Sequence, residues 1–241
     1  MKYVKLSGSG NTFVLIDNLN GKELNIKELA LSLCKKENTD GLLILELSDK
    51  ADFKMRVFNK DASEAEMCGN GARCCAFYFG EKEVKIETLS GIITAYTTDD
   101  KVKIMVGEPK DIKLNIPIYE NCHFVRVGVP HTVIIVDDLK NIDICKEGRK
   151  IRFHHFFGPS GTNVNFVRVL SKDSLKIRTY ERGVEGETLS CGTGSSSASY
   201  ISFVLKKTVF PTFVKTRSGE ILSVYFVDNK LYLEGKVHIL K

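Results

Sequence analysis

The stretch Glu64-Ala-Glu-Met-Cys-Gly-Asn-Gly71 recurs as Glu187-Thr-Leu-Ser-Cys-Gly-Thr-Gly194, an offset of 123 residues (64 to 187). Further matches occur in the same order along the chain: Gly8–Asp17 with Gly128–Asp137, Phe53–Asn59 with Leu175–Glu181, Thr88–Gly91 with Thr216–Gly219, and Lys103–Gly107 with Leu231–Gly235. A repeat of about half the chain length predicts two copies of one domain, because a solenoid is built from at least three short repeats.

We therefore predict two domains, residues 1–115 and 116–241, joined near Asn115-Ile-Pro117, with the last strand able to pack on the first half. Strands are predicted from β-branched and aromatic runs at Phe13–Ile16, Leu42–Leu45 and Phe53–Phe58, and hairpin turns at Asp99-Asp100 and Asp228-Asn229. Helices are predicted over Asn25–Lys36, capped by Asn25, and over about Asn141–Lys150, Asn70–Phe79 and Thr193–Lys206. The predicted fold is α+β: two pseudo-symmetric tandem domains, each a mostly antiparallel sheet wrapped around a central helix.

The composition is that of an ordinary globular protein, with 43% hydrophobic and 27% charged residues and a formal net charge of +5. The basic residues are scattered, which argues against nucleic-acid or membrane partners. No apolar run approaches the roughly 18 residues of a membrane span, and no targeting segment is evident, so we expect a cytoplasmic protein.

Seven cysteines without short paired spacings indicate reduced thiols rather than a disulfide scaffold. We expect Cys34, Cys122 and Cys145 to be small buried residues, and Cys74 and Cys75 to be buried in the body of a helix. Cys68 and Cys191 differ from these five because each precedes a glycine-rich turn at the start of a predicted helix.

A thiol at a helix N-terminus lies beside unpaired backbone N–H groups and the positive end of the helix dipole. This position lowers the pKa of a thiol and also binds a carboxylate. Inversion of a stereocentre needs a base on one face of the carbon and an acid on the other. Cys68 and Cys191, if they face each other across the two domains, could supply one thiolate and one thiol to a bound substrate.

Cysteines at such positions can also serve in roles that involve no proton transfer. A structural disulfide does not suit a cytosolic chain, and both motifs lack the second cysteine or histidine that zinc sites carry two to four residues away. A phosphate-binding loop would need Gly-Lys-Ser/Thr or a third glycine at dinucleotide spacing. A pyridoxal enzyme stays open in principle, since a Schiff-base lysine cannot be recognised from sequence.

The segments Phe58–Arg73 and Tyr180–Gly194, together with Gly158–Phe166 and Val129-Pro-His131, resemble the signature stretches of the diaminopimelate epimerase family over essentially the whole chain. Proline racemases share the two-cysteine arrangement but typically carry histidine where this chain has Asn70. The resemblance implies conversion of LL-2,6-diaminopimelate to the meso form, for lysine and peptidoglycan synthesis, without metal or cofactor. A small-molecule substrate is implied, and a homodimer stays open.

Carried over from the family motifs, Cys68 and Cys191 are the catalytic acid and base, with His131 and Glu181 as auxiliary residues. The substrate-binding residues implied are Asn11, Asn59, Gly69, Asn70, Asn163, Glu181, Arg182, Gly192 and Thr193. Backbone N–H groups of the four motif residues after the cysteines would hold the reacting carboxylate. The Arg182 guanidinium suits the distal carboxylate, which it can bind in a two-pronged way.

Without the motif, the asparagines could be ordinary turn residues, and the Glu181–Arg182 pair could be solvated. His154 and His155 are expected on opposite faces of a strand and receive no role.

The chain departs from the family pattern at three places. Thr12 stands where aspartate is usual, and Val129 replaces the asparagine that helps to hold the distal end of the substrate. The Glu185-Gly186 stretch is one residue longer than in some members, which we expect to affect only the turn. Val129 leaves open a two-cysteine racemase for a smaller amino acid. A binding module without catalysis would not need the two thiols.

Overall fold

The computed structural model describes residues 2–240 and divides the chain into two compact units. The first unit comprises Met1–Met105 and Glu234–Lys241, and the second comprises Val106–Leu233. The strand order and pairing within both units make this an α+β protein, as the sequence predicts. The join of the two sequence repeats near residue 115 stays a prediction.

In the first unit, eight strands of the first half surround two helices. The strands are β1 (Val4–Gly8), β2 (Asn11–Asn18), β3 (Gly41–Glu46), β4 (Phe53–Asn59), β5 (Glu64–Ala65), β6 (Glu83–Thr88), β7 (Gly91–Thr98) and β8 (Lys101–Gly107). The helices are α1 (Ile26–Glu37) and α2 (Gly69–Phe79). Pairs β2–β3 and β4–β6 are parallel, whereas β1–β2, β3–β4, β4–β5, β6–β7 and β7–β8 are antiparallel.

The second unit repeats this order of elements. Its strands are β9 (Pro109–Lys113), β10 (Cys122–Val127), β11 (Val129–Ile135), β12 (Asn163–Val169), β13 (Ser174–Glu181), β14 (Gly186–Thr188), β15 (Thr212–Lys215), β16 (Ile221–Val227) and the start of β17 (Lys230–Leu240), whose residues from Glu234 onwards belong to the first unit. Its helices are α3 (Ile144–Arg152) and α4 (Gly192–Val204), with a 3₁₀ turn at His155–Phe157. The parallel pairs β11–β12 and β13–β15 occupy the places of β2–β3 and β4–β6.

In each unit, one of the strands that pair with the first strand of the repeat, β1 or β10, comes from the other half of the sequence. The end of β17 pairs antiparallel with β1, so that Lys5 lies opposite Leu240. In the second unit β9, which directly follows β8 along the chain, pairs antiparallel with β10. Each sheet is therefore completed by the segment that ends the opposite repeat.

The two helices that follow the cysteines are the central ones. Helix α2 packs against six strands of the first unit, and α4 packs against six strands of the second. Small residues allow this close packing, since Ala72 and Ala76 in α2 and Ala198 and the serines of α4 are buried. A large side chain at these positions would displace the surrounding strands because cores are packed without spare volume.

Helices α1 and α3 each cover one side of their sheet through a short apolar stripe. In α1 the stripe is Ala30 and Cys34, with Ile26, Leu29 and Leu33 partly buried beside them. The predicted side-chain cap at Asn25 is wrong, because its amide donates to the Glu28 carboxylate at 2.9 Å instead. At α3 the cap is Asp143, whose carboxylate accepts from the N–H of Lys146.

Several local predictions can be compared with the structure. Asp99, Asp228 and Asn229 have φ values of 54°, 49° and 59° in the predicted hairpin turns, the left-handed geometry that Asp and Asn tolerate. The expected burial of Cys145 is wrong, because this residue is exposed on α3. His154 and His155 do not alternate across a strand, since the chain turns there and brings their rings to a centroid distance of 4.2 Å.

The other structural cysteines lie as expected, and Cys34, Cys74, Cys75 and Cys122 are buried. Burial raises the pKa of the Cys122 thiol to about 12, so it stays protonated at neutral pH. Between residues 2 and 240, none of the helices combines the length and the apolar character that crossing a membrane requires.

Gly148 provides a stability test of the packing between α3 and β13. A Cβ at this position would lie 2.5 Å from the Cβ of Tyr180, which is 1% exposed. Alanine is a better helix former than glycine by about 0.5–1 kcal/mol, but the overlap costs about 1–3 kcal/mol. We expect Gly148→Ala to lower the free energy of unfolding in urea denaturation.

The matched control is Gly186→Ala in β14, where an added Cβ would meet no atom within 4 Å. It should leave the free energy of unfolding nearly unchanged. Equal stability of the two variants would show that Tyr180 moves aside without cost.

Candidate functional site

Cys68 is the N-cap residue of α2 in the first unit. Its backbone is extended, with φ −139° and ψ 113°, and its Sγ accepts a hydrogen bond from the N–H of Gly71 at 3.4 Å. Gly71 allows close packing at this turn, because a Cβ there would lie 2.8 Å from Leu43 Cδ2 and would force that side chain to move. The first N–H groups of a helix have no partner within the helix, so Gly69 and Asn70 can offer theirs to an anion.

A buried polar network fixes the start of α2 against β1 and β2. Arg73, fully buried, donates to Ser9 Oγ at 2.6 Å and to Asn70 Oδ1 at 2.8 Å. The Asn70 amide in turn donates to Asn11 Oδ1 at 2.7 Å. The side chains of Asn11 and Asn70 are therefore partners of each other, and Asn70 can serve a ligand chiefly through its backbone N–H. Sequence reasoning did not find Arg73 or Ser9.

Asn59, the remaining candidate in the first unit, lies exposed where β4 ends. Its side-chain amide donates to Ser63 Oγ at 2.9 Å, within a turn that Asp61 stabilises through the N–H and hydroxyl of Ser63. This amide is thus held by its own turn rather than by the Arg73 network.

Cys191 caps α4 in the second unit with φ −124° and ψ 112°, nearly the geometry of Cys68. Its Sγ lies 3.5 Å from the hydroxyl of Thr193, and the residue is 8% exposed. Both glycines of the motif lie close to other side chains: a Cβ at Gly192 would lie 2.7 Å from Leu233 Cδ2, which would have to move, and one at Gly194 would lie 2.4 Å from Asn165 Oδ1.

His131 lies on β11, fully buried, and is joined to the cysteine motif by Thr193. Its Nε2 is 2.9 Å from the Thr193 hydroxyl, and its Nδ1 is 3.2 Å from the Asn165 amide nitrogen. Burial and, to a lesser extent, the charge of Arg182 lower the pKa of His131 to about 3. The imidazole is neutral at physiological pH. It contacts Thr193, which in turn lies beside the sulfur of Cys191.

Asn163 and Arg182 are joined at the ends of β12 and β13. The Asn163 side chain accepts from the N–H of Arg182 at 2.8 Å and donates to the carbonyl of Pro130 at 3.1 Å. Both polar groups of this buried side chain therefore bind backbone, which holds three chain segments at fixed positions. The Arg182 guanidinium is half-buried, with Nη1 at 3.5 Å from the carbonyl of Ser160.

Arg152, which sequence reasoning missed, ties together the two loops on either side of Arg182. It donates to Ser160 O at 3.0 Å and forms an ion pair with Glu185 at 3.1 Å. Glu185 also accepts from Tyr180 Oη and from the N–H of Gly183. The expectation that the extra Glu185-Gly186 stretch affects only the turn is wrong, because Glu185 also anchors a buried arginine.

Glu181 is half-buried beside Arg182 at the end of β13. Burial raises the pKa of its carboxyl, while a hydrogen bond with Thr188 opposes that shift. A carboxylate held in this way is ready to accept from an ammonium group, which would offset its cost of burial.

The structure thus forms two clusters from the predicted residues. Cys68, Gly69 and Asn70 begin α2, with Asn11 bonded to the last of them. Cys191, Gly192 and Thr193 begin α4, with His131 bonded to the last of them. Within residues 2–240, no group of three or more His, Cys, Asp or Glu side chains is placed to hold a metal ion.

Comparison with known proteins agrees with this fold. The sequence model of the diaminopimelate epimerase family matches residues 3–112 and 123–240. Diaminopimelate epimerase of Aquifex aeolicus is 41% identical over 99% of this chain and 95% of its own length. That of Hydrogenobaculum sp. is also 41% identical, over 98% of this chain and 95% of its own.

Among solved structures, a phenazine biosynthesis protein of the PhzF family from Bacillus anthracis has the same fold. The TM-score is 0.73 at 15% identity, over 100% of this chain and 98% of that protein. The curated relatives define the class of the chain as an isomerase, an amino-acid epimerase. The chain belongs to the diaminopimelate epimerase family.

The raised pKa of Glu181 makes a prediction for stability. In the folded protein the charged form of this carboxyl is disfavoured, so its ionisation costs stability above the unfolded pKa of about 4.3. We expect Glu181→Gln to be more stable than the original protein at pH 8, and this advantage to shrink as the pH falls towards 4. The measurement is the free energy of unfolding in urea across this range.

Glu83→Gln, a change at an exposed position on β6, is the control and should show no such pH-dependent gain. A Glu181→Gln variant that loses stability at pH 8 would contradict a burial cost at this site.

Proposed function

We propose that this protein converts LL-2,6-diaminopimelate to the meso form by proton transfer between Cys68 and Cys191. The observation that carries the proposal is that a central helix of each unit begins directly after a cysteine, and that the third residue after each cysteine is a glycine packed closely against a neighbouring side chain. Relatives named as diaminopimelate epimerases, 41% identical over nearly the full length, support the substrate.

The proposed reaction requires an α-carbon that has one of the two cysteines on each of its faces. N–H groups of Gly69, Asn70, Gly192 and Thr193 bind the α-carboxylate, which makes the α-proton more acidic. The thiolate of one cysteine removes this proton and becomes a thiol. The thiol of the other cysteine gives its proton to the opposite face and becomes a thiolate. The carbon is inverted and the total charge is unchanged.

The distal end of the substrate determines which amino acid is accepted. Arg182 would bind the distal carboxylate, and Glu181 would accept from an ammonium group. Asn11, Asn59 and Asn163 complete the proposed site, with Asn163 acting through the backbone of Arg182 as well as by any direct contact. Val129, half-buried at the start of β11, supplies no amide at the place where the family has asparagine. A smaller amino acid is therefore the alternative substrate.

Incubation in deuterated water separates these possibilities. With LL-diaminopimelate, a two-base mechanism predicts that deuterium first appears at the α-carbon of the meso product, while remaining substrate keeps its protium. Mass spectrometry and proton NMR at low conversion measure both species. L-proline serves as the parallel substrate and should exchange no deuterium.

EDTA and the absence of added pyridoxal phosphate should leave the exchange unchanged. Exchange into L-proline alone would favour the alternative substrate. Exchange into neither amino acid would favour a binding module.

Replacement of either cysteine by serine tests the division of labour. A hydroxyl is a far weaker acid and base, so we expect Cys68→Ser and Cys191→Ser each to lower kcat for epimerisation by about 10²- to 10⁴-fold. Circular dichroism should show both variants folded.

A diaminopimelate analogue with a leaving group on the β-carbon is the control, since its elimination needs only one base. At least one variant should retain this elimination. If a folded variant epimerises diaminopimelate at the normal rate, the cysteine that it lacks has a structural role and not a catalytic one.

Oxidation supplies an independent test of the facing thiols. Sulfur atoms close enough to flank one carbon are also close enough to form a disulfide. Mild oxidation should abolish activity, a reductant should restore it, and peptide mapping should identify a Cys68–Cys191 crosslink. Cys145→Ser, which removes an exposed thiol, should behave in the same way. Inactivation without that crosslink would contradict the facing geometry.

We also infer that the protein acts in the cytoplasm, since its seven cysteines are present as thiols. Lysine and peptidoglycan synthesis would then be the route that it serves, with a small molecule as its substrate. A homodimer remains a proposal, to be measured by analytical ultracentrifugation.

A further inference from the structure

Four side chains of the second unit form one line of hydrogen bonds that ends at Cys191. Asn165 Nδ2 lies 3.2 Å from His131 Nδ1, and His131 Nε2 lies 2.9 Å from Thr193 Oγ1. Thr193 Oγ1 lies 3.5 Å from Cys191 Sγ. Asn165 and His131 are fully buried, so bulk water does not compete with their hydrogen bonds.

The orientation of the Asn165 amide is fixed by two partners outside this line. Its nitrogen donates to the carbonyl of Thr132 at 2.9 Å, and its oxygen accepts from the Thr179 hydroxyl at 3.0 Å. The second N–H of the amide is left for His131 Nδ1, which must accept it. Gly194 keeps this amide in place, because any Cβ at that position would overlap Asn165 Oδ1.

The accepting Nδ1 determines the tautomer of His131. A neutral imidazole carries one proton, and that proton must be on Nε2, from which it is donated to Thr193 Oγ1. A second proton on the ring would meet the Asn165 amide nitrogen, which has no lone pair to accept it. With one lone pair engaged by His131, the hydroxyl of Thr193 can direct its own hydrogen to Cys191.

We propose that Asn165 is a positioning residue which, through His131 and Thr193, directs a hydroxyl proton to the sulfur of Cys191 and so stabilises its thiolate. The proposal rests on the proposed function, in which Cys191 acts as a base. His131 transfers no proton in this arrangement and keeps a single tautomer.

The corresponding place in the first unit is built differently. The sequence repeat aligns Asn11 with His131 and Asn70 with Thr193, and in both units these aligned residues are hydrogen-bonded to each other. Asn70, however, carries an amide whose oxygen accepts from Arg73 rather than a hydroxyl beside the sulfur. The hydroxyl relay is therefore a property of the Cys191 motif, and it distinguishes two thiols that the duplication would otherwise make equivalent.

The pH dependence of Cys191 alkylation tests the relay in the full chain without any substrate. Iodoacetamide labelling followed by peptide mass spectrometry gives the titration of this one thiol. Thr193→Val removes the hydroxyl at nearly constant volume and should raise the pKa of Cys191 by about one unit or more, since hydrogen bonds to charged groups are strong. Thr193→Ser, the matched control, keeps the hydroxyl and should titrate like the original protein.

Asn165→Asp tests the other end of the line. A carboxylate at this position accepts instead of donating, so His131 should gain a proton on Nδ1, which nitrogen-15 NMR of the imidazole detects. In the unchanged protein the same spectrum should show the Nε2–H tautomer from pH 6 to pH 9. We expect kcat of Asn165→Asp to fall with a smaller change in KM.

Two results would overturn the relay: an unchanged Cys191 titration in Thr193→Val, or an Nδ1–H tautomer of His131 in the original protein. If Asn165→Asp does not fold, the relay is still tested by the Cys191 titrations of the two Thr193 variants and by the imidazole spectrum of the original protein. Failure of the proposed function is seen separately, as an absence of deuterium exchange into diaminopimelate in a protein whose alkylation profile follows the expectation.

Discussion

The placement of a thiol at the N-terminus of a fully packed helix is the constraint on which the rest of this structure depends. Each helix starts in a confined space, since a Cβ on the third residue after the cysteine, a glycine in both units, would overlap Leu43 in one unit and Asn165 in the other. The glycines therefore serve packing as much as access for a ligand. A motif that is typical of a ligand-binding loop therefore also determines how the start of the helix packs against its sheet.

Although the duplication gives both units the same backbone frame, their polar interiors have diverged. A buried guanidinium, Arg73, organises the first site, and a buried amide, Asn165, organises the second. Arg73 donates to a hydroxyl and to an amide oxygen, and Asn165 uses both the nitrogen and the oxygen of its amide, as is usual for buried polar groups. Under the proposed function, this divergence gives the two thiols different polar surroundings although the backbones around them match.

Features that depend on residues near one another in the sequence were predicted well, whereas contacts between residues distant in the sequence were not. The internal repeat predicted the fold class. Apolar spacing located α1, the repeat located α3 as its counterpart, and the cysteine motifs located α2 and α4, each to a few residues at either end, because these signals are carried along the chain itself. Residues whose partners are distant in sequence were missed. Arg152 joins Ser160 and Glu185, and Asn165 joins Thr132 and Thr179, contacts that no spacing rule encodes. Asn165 could have been predicted, because it lies two residues after Asn163 and therefore on the same face of β12.

The pairing of β1 with β17, a strand from the far end of the chain, has a consequence for synthesis on the ribosome. The first unit needs residues 234–240 to finish its sheet, although its other strands are complete by about residue 107. During translation, β1 must wait with one edge unpaired while more than a hundred further residues emerge, and an open edge is the part of a sheet most prone to pair with other chains. Lys5, which lies opposite Leu240 of β17, places a positive charge on this edge, and lysine is a residue that commonly protects an open strand edge from pairing with other chains.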